Sequence, residues 1–118
     1  MKKLIRLHEK AAEIREKNRH LLKTTRLLSL FLVIVAGFDV VSTNAALAAG
    51  HIEGNPFVVE MQQYFGSWWS VPKIGLHLLL GLLVLWLPTR RMVSMSRLVI
   101  VGYLAIVTNN FYFAGWLT

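Results

Sequence analysis

Leu27 to Pro56 reads LLSLFLVIVAGFDVVSTNAALAAGHIEGNP. Its first 23 residues, to Ala49, are long enough to cross a hydrocarbon layer of about 30 Å as one helix. Asp39 interrupts that run, and a carboxylate in hydrocarbon costs several kcal/mol unless a partner neutralises or solvates it. The helix therefore requires others around it, and the stretch runs out into a polar loop carrying a second acid, Glu53.

The composition agrees with a chain built for a bilayer. Of 118 residues, 55% are hydrophobic and 16% charged, and most charge lies outside three long apolar runs. Nine Lys and Arg fall within residues 1–26, against Glu9, Glu13 and Glu16. A basic tail beside a membrane helix suits anionic headgroups rather than nucleic acid. The absence of cysteine excludes disulfides and thiolate metal sites. The basic start and the Ala46-Leu47-Ala48 triplet imitate a signal peptide, but the long basic region, the interrupting Asp39 and the spanning length point to a retained helix.

The expected fold is all-α: an integral membrane three-helix bundle with a basic amphipathic N-terminal helix and a short helix in the extracytoplasmic loop. Residues 1–26 form the tail, and 27–118 the transmembrane domain, with spans at about 27–49, 71–87 and 98–117. In the tail Leu4, Leu7, Ala11, Ile14, Asn18 and Leu21 alternate by three and four, a narrow seam suited to lying on headgroups, extending the first span or docking a partner helix. Thr24 or Thr25 could cap the first span. Asn55-Pro56 should start a short amphipathic helix over FVVEMQQYF, lying on the surface or dipping in, and Trp68 and Trp69 should mark the water–lipid boundary.

Each span carries a stripe of small and polar residues expected to face inward. They are Ala36, Asp39, Thr43, Ala46 and Gly50 in the first; Lys73, His77, Gly81 and Val84 in the second; and Gly102, Ala105, Asn109 and Tyr112 in the third. The loop from His51 to Ser70 has no Lys or Arg, whereas Arg90, Arg91 and Arg97 follow the second span. The positive-inside rule then puts the N-terminus and the Pro88 turn in the cytoplasm and the C-terminus outside. Lys2, Lys3, Arg6, Arg90 and Arg91 are the expected lipid-headgroup contacts.

Counting inward at the helical rise puts Asp39, His77 and Asn109 at roughly 18, 15 and 17 Å from the cytoplasmic edge, with Lys73 and Thr43 at roughly 21 and 24 Å. Asp39, Thr43, Glu53, Asn55, Lys73, His77, Asn109 and Asn110 should thus form one intramembrane polar cluster open outward. Lys73 is the natural counter-ion of Asp39 or Glu53, and its stem lets it snorkel to either. His77 can donate to Asp39, titrate or bind a metal. Asp39, Glu53 and His77 have acceptable chemistry for a divalent metal cofactor, although none is required. No phosphate loop, nucleophile elbow or Ser-His-Asp order is present, so no catalytic residue is assigned.

Asp39 with Thr43, then Gly50, the element Glu53-Gly54-Asn55-Pro56, Lys73 on the next helix and the late Asn109-Asn110 pair resemble small prokaryotic membrane proteins grouped as domain of unknown function 5658. The similarity covers about residues 27 to 115, and the long charged tail departs from the family's short architecture. The resemblance implies a membrane fold of three or four helices in a prokaryotic inner membrane, supports the grouping of Asp39, Glu53, Asn55 and Lys73, and implies no activity.

Three functions compete. The first is a non-enzymatic accessory or assembly subunit that packs against other membrane proteins or itself. The second is an ion- or metal-binding or transport module, and the third an intramembrane metal-dependent hydrolase.

Overall fold

The computed structural model describes residues 1–117 and is all-α, with five helices and no strand among the described residues. Helix α1 (Lys2–Lys17) is followed by a 3-10 turn at Arg19–Leu21, then α2 (Leu22–Ala48), α3 (Pro56–Phe65), a second 3-10 turn at Gly66–Trp68, α4 (Ser70–Trp86) and α5 (Arg90–Phe113). The central helix is α2, packed against both α4 and α5, which touch each other only slightly.

The break between the tail and the first long helix falls earlier than expected. Asn18 leaves the helical conformation, its amide nitrogen donates to the Ile14 carbonyl at 2.9 Å, and α2 is already under way at Leu22. Thr24 and Thr25 are therefore interior positions and cap nothing; the Thr25 hydroxyl, wholly buried, donates to the Leu22 carbonyl. Of the predicted tail seam, Ala11 is buried while Leu4 and Leu7 are exposed.

Two tie points fix α4 antiparallel to α2. At one, the Ser29 hydroxyl donates to the Gly81 carbonyl at 2.6 Å, and a Cβ on Gly81 would lie 3.6 Å from the Ser29 backbone oxygen, so only a very small side chain allows this approach. At the other, Lys73 pairs with Asp39. The buried residues of α4 are Lys73, His77, Gly81 and Val84, the face its spacing predicts. On α2 the predicted Ala36, Asp39, Thr43 and Ala46 are buried, joined by Leu32, Val35 and Ser42; Gly50 instead lies past the helix end with φ +88°.

Because Lys73 lies in the first turn of α4, that helix begins near the level of Asp39, whereas α2 continues nine residues further to Ala48, roughly 14 Å. The gap is filled by α3. Asn55 caps it by accepting the Phe57 N–H at 3.0 Å, with Pro56 in the first turn, as the Asn-Pro pair predicts. Gly66 at φ +55° turns the chain, and α3 with its 3-10 extension meets α4 at 110°. The joint is held by an apolar cluster of Val58, Met61 and Trp69 packed on Val40 of α2.

Two helical segments, Arg19–Ala48 and Arg90–Phe113, are each long and apolar enough to cross a membrane. With 17 residues, α4 reaches roughly 25 Å and falls short of that length by itself; counted with α3 as a bent pair it makes a third candidate.

The stripe predicted for α5 faces the wrong way. Val93, Ser96, Ile100, Tyr103, Val107 and Asn110, alternating by three and four, form the more covered side, whereas Gly102, Ala105, Asn109 and Tyr112 are all exposed. Buried valines and one of two adjacent asparagines win the contact with α2.

Candidate functional site

The site grows from Asp39. Its residue is 1% exposed, and its carboxylate oxygen Oδ2 is held by the Lys73 ammonium, itself on a residue 7% exposed. Of the two predicted counter-ions, Lys73 takes Asp39. Glu53 has a local role, accepting the Asn55 backbone N–H at 2.8 Å ahead of α3.

Aromatic rings wall in the ammonium. Lys73 Nζ lies 5.5 Å from the Trp69 ring centroid and 6.0 Å from that of Tyr103, close enough for a desolvated cation to gain from both π faces. Trp69 is 6% exposed, so of the predicted pair Trp68, at 71%, remains the candidate boundary residue. The α3–α4 bend delivers Trp69 as a lid over the ion pair, and Tyr103 arrives from α5. Neither role was legible in an alternation pattern, which treats tryptophan and tyrosine as interfacial anchors.

His77 does not reach Asp39 as predicted. One turn along α4, its Nδ1 lies 2.9 Å from the Lys73 carbonyl oxygen. A carbonyl can only accept, so Nδ1 carries the proton and a neutral ring keeps Nε2 as its acceptor. The ring meets Tyr103 edge-on at 4.7 Å between centroids. Beyond it lies a cavity of about 280 Å³ lined by Asn55, Lys73, His77 and Tyr103, with Met61 and Val99 among its apolar walls.

The remaining predicted residues gather elsewhere. Asn110 Nδ2 donates to Ser42 Oγ and Thr43 Oγ1, both at 3.3 Å, and Ser42 in turn donates to the Asp39 backbone carbonyl at 3.1 Å. Thr43, Glu53, Asn109 and Asn110 line a second cavity of about 410 Å³ with His51, whose Nε2 meets the Phe113 carbonyl oxygen at 2.9 Å. The predicted residues therefore line two cavities, Asn55, Lys73 and His77 the first and Thr43, Glu53, Asn109 and Asn110 the second, with Asp39 joined to Lys73 on one side and through Ser42 to Asn110 on the other.

The metal set fails on the same division. Asp39 is engaged by an ammonium, the Nδ1 of His77 by a carbonyl, and Glu53 lines the other cavity. Among the described residues no three His, Asp or Glu side chains stand close enough to hold a metal ion. What the first site does contain is an internally neutral pair, the carboxylate answered by the Lys73 ammonium alone and the ammonium by the two aromatic rings.

The fold and site define an all-α protein with helices able to cross a membrane, organised around a buried carboxylate–ammonium pair. The chain belongs to the family described as domain of unknown function (DUF5658), which it matches over residues 30–116. No curated protein and no solved structure matches it.

Proposed function

We propose that this chain is an integral membrane protein of three spans that works without catalysis, as an accessory or assembly subunit packing through α5 against another membrane protein or a second copy of itself. Asn109 carries this proposal. It lines the second cavity yet stays exposed, and it makes no hydrogen bond among the described residues, in a helix otherwise apolar enough to cross a bilayer. Lipid tails offer an amide nothing, whereas a neighbouring helix can satisfy it. Gly102 and Ala105, also exposed on that side, allow the backbones to approach closely, and an added Cβ at Gly102 meets nothing within 4 Å. Only 17% of the apolar stretch of α5 is buried within the chain, against 39% for α2. The ion pair supports a structural part for the core, since each charge is consumed by the other.

Gly102→Leu and Asn109→Leu should each leave the protomer's thermal unfolding in detergent unchanged, because both residues are exposed and an added side chain has room. Each should weaken association by about 0.6–2 kcal/mol. Size-exclusion chromatography with light scattering, together with co-purification from native membranes, reads this out. A wild-type chain that stays monomeric at every protein-to-detergent ratio and brings down no partner would sink the assembly function.

A further inference from the structure

Lys2, Lys3, Arg6, Arg90 and Arg91 are the expected headgroup contacts, and Lys3 and Arg6 line one basic pocket with Lys10; the structure gathers a second basic set elsewhere. Arg15 and Glu16 of α1, Arg19 of the 3-10 turn, Leu22 and Arg26 of α2 and Leu85 of α4 line one cavity of about 520 Å³. Three guanidiniums face one carboxylate there, and that carboxylate reaches Arg19 only at 3.8 Å with both side chains largely exposed, so it quenches little of the charge. The pocket straddles the break at Asn18, with Arg15 before it, Arg19 and Arg26 after it, and Leu85 of α4 as an apolar wall.

We infer that this pocket binds the phosphate of an anionic phospholipid. Guanidiniums pair with phosphate oxygens through two parallel N–H donors, and three of them around one cavity suit a tetrahedral anion better than a lone ammonium would. The apolar wall favours a lipid over free phosphate. From Leu85 a stripe runs back along α4 through Leu82 and Leu78, three and seven residues away, which are 63% and 46% exposed. A headgroup among the arginines can therefore lay an acyl chain along this stripe. Arg26 lies within the first turns of an apolar helix, at the level where a phosphate layer would sit. The inference rests on the membrane-spanning part of the proposed function but not on the assembly part.

The test uses the full-length protein in neutral detergent, with dioctanoyl phosphatidylglycerol and dioctanoyl phosphatidylcholine as probes, and native mass spectrometry to measure bound lipid. Phosphatidylglycerol should bind more tightly than phosphatidylcholine, and Arg15→Gln, Arg19→Gln and Arg26→Gln together should weaken it by on the order of tenfold to a hundredfold. Lys2→Gln, Lys3→Gln and Arg6→Gln together should leave it unchanged. Equal loss in both triple variants would replace the pocket by diffuse attraction to the tail, and competition by millimolar inorganic phosphate would make it a free-anion site; either overturns the inference. A circular-dichroism melt unchanged in both variants shows that the fold is retained, and Arg26→Gln alone should still weaken binding. Extraction of the protein from membranes by alkaline carbonate would defeat the spanning topology on its own, independently of the lipid measurement.

Discussion

Lys73→Met should destabilise the protein by about 3–5 kcal/mol, measured by denaturation in mixed micelles, whereas Asp39→Asn with Lys73→Met should recover most of that loss. The single variant strands a carboxylate at a position 1% exposed, where protonation is its only escape. The double variant leaves an amide beside a thioether of similar volume, with no charge to bury. Asp39→Asn alone should fall between them. The lysine left behind has a long stem and sits in the first turn of α4, close to the bend, so its ammonium can swing toward water while the short aspartate cannot. A double variant no more stable than Lys73→Met would mean that the two groups are held by their surroundings rather than by each other.

Trp69→Ala should be comparably damaging, at about 3–5 kcal/mol, since it removes the largest member of the cluster that pins α3 and also uncovers the ammonium. Its signature should be local. Amide exchange across Pro56–Phe65 should accelerate far more than exchange along α2, because α3 has little to hold it besides Val58 and Met61 on Val40. Equal acceleration in both helices would show that α3 and the long helices unfold as one unit. Val58→Ala should give a weaker version of the same pattern, separating loss of packing from loss of the π contact over Lys73.

How far these features could be read in advance depended on what each helix offers its neighbours. The inward face of α4 was legible because Lys73, His77 and Gly81 are the residues that a lipid-facing helix would not carry, and all three lie on one side. That of α2 was legible for the same reason, down to Ala46. α5 misled because it has two candidate faces: a stripe of Gly102, Ala105 and Asn109, and a seam of valines interrupted by Tyr103 and Asn110. A step of one residue rotates a helix by about 100°, so choosing Asn109 over Asn110 turned the whole helix outside in. The lid was invisible for another reason. Trp69 covers Lys73 only because Gly66 turns the backbone, and one glycine among several in a loop does not announce a bend of 110°.

The outward placement of Gly102 and Asn109 limits the symmetry available to self-pairing. Copies inserted by the same machinery share one orientation, so a twofold axis relating two of them must run along the bilayer normal. The α5 helices would then lie parallel and in register, Gly102 beside its own equivalent. Such a contact is isologous and closes at two, whereas growth beyond a pair would require a second surface.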